Sequence, residues 1–210
     1  MKEAIDQGKL GQIHFAAAYT QWYRGQEYYD SADWRGTWAM EGGGALINQS
    51  IHYIDLLQYL VGPVESLSAY TSNRSHPKIE VEDTCAAALR FCSGALGVIE
   101  GMTSAYPGFF TRLEVRGSDG GVVIEDDQVL DWRLRSGEPY HGPTGAGASI
   151  AGTSSHDIWH LGHRRQIEEY IHALRQGRPS RVDGFEGRKP LQIVLAIYES
   201  ARLGKPVFLT

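Results

Sequence analysis

Apolar residues recur along this chain at two spacings, and the places where the spacing changes mark its elements. Alternation runs through residues 12–23, QIHFAAAYTQWY, and again through 64–72, 83–91, 95–104, 109–117, 121–125 and 129–135. Turn residues separate most of these runs (CSG, YPG, GSDGG, DD), so each reads as a strand. Helical spacing appears at 1–8, 45–60, about 160–176 and 185–203, and Gly8, Gly62, Gly177 and Gly204 close these segments. A short strand, PVFL, follows the last helix. Residues 24–41 have no clean period and hold two of the five tryptophans, which predicts an ordered loop over a cleft. Residues 136–155, rich in Gly, Pro and Ser, predict a second loop.

Strands at such short intervals imply successive hairpins, hence an antiparallel meander rather than a parallel doubly wound sheet. The expected architecture is α+β: a large, mostly antiparallel, open-faced sheet with helices packed on one face. Helices on one side leave the other side of the sheet uncovered, which predicts a homodimer or homotetramer through that open face. One face of the 83–104 hairpin reads as small, with Thr84, Ala86, Ala88, Ala95 and Gly97, so that something packs very close there.

Composition narrows the setting. The 210 residues, 42% hydrophobic and 21% charged, suit one globular domain or a domain with a fragment. A formal net charge of -5 argues against nucleic acid or an anionic membrane as partner. The N-terminus has no apolar signal-peptide core, and no apolar run approaches the roughly 20 residues of a membrane span. Cys85 and Cys92, if on one strand, stand about 23 Å apart at ~3.3 Å per residue, too far for a disulfide. A reduced, cytoplasmic protein is the expectation.

The candidate chemistry lies in GGGALINQSIHYID, residues 42–55. On a helix Asn48, His52 and Asp55 fall at i, i+4 and i+7, one polar stripe opposite Leu46, Ile47, Ile51, Ile54, Leu57 and Leu60. Gly42, Gly43 and Gly44 precede the first turn, where backbone N–H groups are free and a ligand can approach without meeting a Cβ. An imidazole titrates near neutrality and can exchange a proton in alcohol–ketone chemistry, with Asp55 placed to fix its tautomer. By spacing alone, an ordinary amphipathic-helix histidine is the commoner case.

His156, Asp157, His160 and His163 form a zinc-like cluster, but a solvated loop leading into a helix explains them better, and no metal site is predicted. GAGASIAG sits in the loop region without a flanking strand and helix, so it is no phosphate cradle.

GKLGQI, WRGTW, GGGALINQSIHYIDLLQYLVG, IEVEDTCAAALRFCSGALG and the stretch from GHRRQIEEY to GKPVFL, in this order, resemble the C-terminal domain of the Gfo/Idh/MocA oxidoreductases. The resemblance covers nearly the whole chain. It implies the substrate-side part of an NAD(P)-dependent dehydrogenase acting on a sugar, cyclitol or nucleotide sugar. Residues 1–8 would be the tail of an interdomain helix, and 9–210 a substrate-binding and oligomerisation domain. The family's helix after the glycines usually carries Asp followed four residues later by His. His52 falls on that His, while Asn48 stands where the Asp would be, a departure that leaves proton transfer to His52 and a lysine outside this chain.

The resemblance also implies substrate contacts at Tyr23, Arg24, Trp34 and Arg35 in the loop after the first strand, and at His163 in GHRRQ. For the loop, the even alternative is that its tryptophans simply cover the core. Tyr106, at the AYPG turn, is a further substrate-contact candidate by its position. NAD or NADP would be bound mainly by an N-terminal dinucleotide domain, whose Gly-rich turn and Glu-Lys-Pro are not in these residues. The chain by itself is therefore expected to be inactive. The alternative is a non-enzymatic sugar-sensing or oligomerisation module on the same fold.

Overall fold

The computed structural model describes residues 1–141 and 156–209, with side chains given outside 156–161. In chain order the elements are α1 (Lys2–Asp6), β1 (Ile13–Gln21), the single turn α2 (Gln26–Tyr29), a π-helical turn (Leu46–Ser50) running into α3 (Ile51–Val61), β2 (Val64–Ser72), β3 (Thr84–Phe91), β4 (Leu96–Met102), β5 (Thr111–Gly117), β6 (Gly120–Glu125), β7 (Gln128–Leu134), α4 (His156–Arg175), α5 (Gly184–Leu203) and β8 (Val207–Phe208). The loop expected at 136–155 lies outside the described residues from 142 onward.

The eight strands form one sheet in the order β7-β6-β5-β1-β4-β3-β2-β8. β2, β3 and β4 are antiparallel neighbours, as are β5, β6 and β7. The single meander expected from the turn signals is interrupted. β1 lies between β4 and β5, antiparallel to β5 and parallel to β4. The reason is visible in FAAAY: Ala16, Ala17 and Ala18 are 0%, 0% and 2% exposed, small enough on both faces for the centre of a packed sheet.

Register sorts the side chains. A row running Leu67, Leu89, Gly97, Ala16, Val115, Val122, Trp132 crosses seven strands on one face. This face is covered by α3, through Ile54, Leu57 and Leu60, and by α5, through Ile193, Val194 and Ile197, and together they make the core. The next row runs Tyr70, Ala86, Glu100, Tyr19, Arg112, Glu125 on the opposite face. Tyr70 there is 81% exposed. The polar centre of that face is paired within itself: Gln21 Nε2 donates to Glu100 at 2.8 Å, Arg112 Nε to Glu125 at 2.8 Å, and Arg116 lies 3.5 Å from Glu114.

The small face expected on the 83–104 hairpin mixes the two sides. Thr84, Ala86 and Ala88 point to the open face, whereas Gly97 pairs with Leu89 on the helix side, because even residues of β3 pair with even residues of β4. A Cβ at Gly97 would meet the Phe91 ring at 2.7 Å. Ala95, before β4, is buried with the core.

Both cysteines are free, Cys85 buried and Cys92 exposed. Burial, with a smaller contribution from the charge of Glu82, pushes the Cys85 thiol up and keeps it inert. On α4 the apolar side chains Ile167, Tyr170, Ile171 and Leu174 are exposed and Ala173 is buried. Among the described residues no helix is long and apolar enough to cross a membrane.

Candidate active site

The helix that carries Asn48 and His52 is held at its entry by a buried carboxylate. Glu82, 4% exposed, accepts hydrogen bonds from Gly44 N at 3.1 Å, Leu46 N at 2.9 Å and Tyr198 Oη at 3.0 Å, and its own carbonyl accepts from Ala45 N at 3.1 Å. The first free N–H groups of the helix are thus satisfied by an anion at the positive end of the dipole. Burial raises the Glu82 carboxyl above its ordinary value, and the donors only partly offset this. Tyr198 is raised in turn, by burial first and then by the Glu82 charge.

The same packing accounts for the glycines. A Cβ on Gly44 would stand 1.9 Å from the Glu82 carbonyl oxygen, and one on Gly43 would stand 2.2 Å from Tyr198 Oη. Gly42 needs glycine for a different reason, its φ of 81°. The close approach at 43 and 44 is therefore made by this chain itself, and Gly42 supplies the turn.

The helix opens with a π-helical turn, Leu46–Ser50, before settling into α3. Such a turn advances less per residue than an α-turn, which brings Asn48 and His52 closer in azimuth than regular α-geometry would. π-turns recur at functional sites. Asn48 Nδ2 donates to Glu41 Oε1, and Glu41 Oε2 accepts from Gly36 N. Glu41 thus takes one N–H of the Asn48 amide, and Oδ1 remains its acceptor. His52 is exposed on the first turn of α3. Asp55, expected to orient it, is half-buried and accepts from Gln58 Nε2 at 3.0 Å.

The loop between β1 and the glycines gathers four of the other candidates. Arg24 Cζ lies 5.1 Å from the Trp22 ring centroid and 5.2 Å from that of Tyr28; Arg35 Cζ lies 4.2 Å from Tyr28 and 4.4 Å from Trp34. Tyr28 Oη accepts from Arg35 and from Gln49 Nε2, which ties this ladder to the residue beside Asn48. Tyr23 and Tyr106 meet edge to face at 5.1 Å where the β4–β5 connection crosses the end of β1. His163 is exposed on α4 and bonds to none of the other candidates. His156, Asp157 and His160 lie outside the described side chains; among the described residues no group of His, Cys, Asp and Glu could hold a metal ion.

A buried pair that the sequence reading missed fixes this loop from behind. His76 and Asp83 are 2% and 0% exposed. The His76 ring nitrogens face Asp83 Oδ2 at 2.8 Å and the Arg24 carbonyl at 2.7 Å. The ring thereby bridges the Asp83 carboxyl and the backbone of the site loop. Burial works to raise the Asp83 carboxyl, but donors from Arg74 N, Ser75 N, Thr84 Oγ1 and His76 outweigh it and hold Asp83 below its ordinary value. Tyr29, raised to about 12 chiefly by burial, packs on His76 and bonds Thr103 at 2.7 Å. The signal for Glu82 and Asp83 was the acidic pair in VEDT, directly ahead of an alternating strand. Tyr28 and Glu41 left no signal, because they lie in a segment without a period, and Gln49 sits on the periodic helix with nothing in its spacing to mark its partner.

Comparison with known proteins gives these features a family. The model of the GFO/IDH/MocA C-terminal domain matches residues 1–123. Myo-inositol 2-dehydrogenase of Thermotoga maritima is 25% identical over 204 residues, which are 95% of this chain and 57% of that protein. Among solved structures, the WlbA dehydrogenase of Bordetella pertussis, in complex with NADH and UDP-GlcNAcA, superimposes with a TM-score of 0.83 at 36% identity, covering 100% of this chain and 58% of that one. The aldose-aldose oxidoreductase of Caulobacter crescentus, complexed with glycerol, does so with a TM-score of 0.78 at 26% identity, covering 99% and 58%. The chain spans a little more than half the length of each.

Proposed function

Since the chain belongs to the GFO/IDH/MocA family, whose C-terminal domain it matches, we propose that it forms the substrate side of an NAD(P)-dependent dehydrogenase that interconverts a hydroxyl and a ketone on a sugar, cyclitol or nucleotide sugar. The observation that carries this reading is the Asn48–His52 stripe on a helix fixed by Glu82 and flanked by the arginine–aromatic loop. The relatives include inositol and levoglucosan dehydrogenases, and the WlbA structure holds NADH.

Among the described residues no parallel strand runs through a Gly-rich turn into a helix, so these residues do not fit a dinucleotide. The cofactor, NAD or NADP, belongs to the part of the family's length that this chain does not span. Residues 1–8 are assigned as the tail of an interdomain helix and 9–210 as the substrate and oligomerisation domain.

This chain contributes proton exchange and positioning. His52 takes the hydroxyl proton during oxidation and returns it during reduction, which an imidazole does near neutral pH. Asn48, its amide nitrogen held by Glu41, accepts a substrate hydroxyl through Oδ1 and aligns it with His52. Tyr23, Tyr106, Arg24, Trp34 and Arg35 wall the cleft. The open sheet face, with Tyr70, Leu96 and Phe208 exposed, pairs with a second copy to give a homodimer or homotetramer. Sedimentation should show that assembly, and a monomer at high concentration refutes it.

The kinetic test uses the complete protein. His52→Ala should lower kcat by about 10²–10⁴, the usual share of a general acid–base group. Asn48→Ala should raise KM and reduce kcat less, and Asn48→Asp should be tolerated. A normally folded His52→Ala protein that keeps most of its kcat makes His52 structural and refutes the assignment.

A further inference from the structure

Among the described residues, the arginines of the site loop lack an ion pair while half-buried, whereas the other arginines without one, Arg74, Arg165, Arg175, Arg181, Arg188 and Arg202, are exposed. Arg112 and Arg116 lie against glutamates, and Arg133, Arg135, Arg164 and Arg178 each have a carboxylate within 4.0 Å. Arg24 and Arg35 have none among the described residues, although the chain carries 25 acidic residues against 20 basic ones. Of the side chains outside the description, only Asp157 is acidic. Their recorded partners are neutral: the Tyr23 carbonyl for Arg24, at 3.4 Å, and Tyr28 Oη for Arg35.

Both guanidiniums are half-buried, and the Nε of each is a buried donor without a partner. Two cations share one aromatic ring, with both Cζ atoms within 5.2 Å of the Tyr28 centroid. Stacking on Trp22, Tyr28 and Trp34 favours a cation over the ring face, but it supplies no counter-charge and satisfies no N–H in the guanidinium plane. A half-buried cation pair with open in-plane donors is a poor arrangement for stability and a good one for binding an anion.

The backbone beneath is fixed before any ligand arrives. The Arg24 carbonyl is bonded to the buried His76–Asp83 pair, and Arg24 N donates to the Thr103 carbonyl at 2.8 Å. Stacking orients the guanidinium planes, Nη1 of each meets only a neutral oxygen, and Nε is buried without a partner. Each fork therefore still lacks the anionic acceptor, carboxylate or phosphate, that its geometry matches. Through Tyr28 and Gln49 the pair is tied to the turn that carries Asn48.

We propose that Arg24 and Arg35 are the receptor for an anionic group, carboxylate or phosphate, on the substrate, so that the sugar presented to Asn48 and His52 is an acidic or phosphorylated derivative and not a neutral polyol. This rests on the dehydrogenase reading above and deepens it.

The test compares kcat/KM of the complete protein, with a nicotinamide cofactor, across myo-inositol, glucuronate, glucose 6-phosphate, UDP-N-acetylglucosamine and its uronate. Calorimetric binding of the same compounds is measured in parallel. At least one anionic compound should exceed myo-inositol by about 10²-fold or more. Arg24→Gln and Arg35→Gln should each raise KM for it about 10- to 100-fold, the worth of a charge-assisted hydrogen bond, with little change in kcat. Arg24→Lys and Arg35→Lys keep the charge and lose the fork, so they should fall between. They also remain informative if the glutamine variants fail to fold.

Glucuronate against glucose 6-phosphate tells which anion is read. Equal use of neutral and anionic substrates, or an anion preference untouched by the glutamine and lysine variants, overturns the proposal and leaves the dehydrogenase reading standing. Anion binding that depends on both arginines, without nicotinamide turnover of any compound, upholds the receptor and sinks the dehydrogenase. No binding of any anion overturns the receptor.

Discussion

Replacing Glu82 with Ala isolates the anchor of the candidate catalytic helix. The change removes the acceptor of three donors, Gly44 N, Leu46 N and Tyr198 Oη. Each buried donor left without a partner costs about 1–3 kcal/mol. Two opposing effects reduce the sum. The Tyr198 hydroxyl can rotate, and the alanine variant no longer buries the carboxyl that burial raises. A net loss of about 3 kcal/mol is expected, or about 6–12 °C in Tm for a domain of this size. Glu82→Gln keeps one acceptor oxygen but turns an NH₂ toward Gly44 or Leu46, so it should lose about 1–2 kcal/mol.

Urea unfolding followed by circular dichroism measures both variants. Proton linkage gives an independent readout. A carboxyl raised in the fold favours folding when it is protonated. Its contribution is full below the ordinary glutamate value and is lost as pH rises through the raised one. Wild type should therefore lose stability relative to Glu82→Gln across that window. If Glu82→Ala stays within about 1 kcal/mol of wild type, Glu82 does not anchor the helix and the argument fails.

Gly44→Ala should cost about 3 kcal/mol, because its Cβ would meet a backbone oxygen that cannot swing aside. Gly42→Ala should cost about 1–2 kcal/mol for its positive φ alone. Thermal melts rank the two, and a milder Gly44 variant contradicts the packing account. Asp83 is lowered in the fold, so its contribution is present above the ordinary aspartate value and fades as pH falls through the lowered one. Asp83→Asn should therefore unfold near neutral pH more readily than wild type and show a flatter acid limb. An unchanged acid limb removes Asp83 as its source.

The helix of residues 45–60, the strands and the stripe of Asn48 and His52 were legible because each follows from a period that burial of one face enforces. The position of β1 was not. Its alanines satisfy a strand on an edge or in the centre, and pairing partners some 80 residues away leave no mark on local pattern. The glycines announced a close approach without saying to what; Tyr198 and Glu82, distant in sequence, supply the answer. The arginine ladder arises in a segment without periodicity, where rings and guanidiniums meet through loop geometry. Its residues could be picked out by type and by family resemblance, but their pairing around Tyr28 could not.

The central place of β1 bears on the order in which the chain can assemble. The β2–β3–β4 and β5–β6–β7 meanders each join strands that follow one another in the chain, while the sheet joins the two only through a strand made long before either. Ala17 must meet Val98 on one side and Glu114 on the other. Loop closure over such separations is slow compared with hairpin formation. β1 thus acts as a late keystone, and until it seats, the nascent chain holds two three-stranded halves with unpaired inner edges.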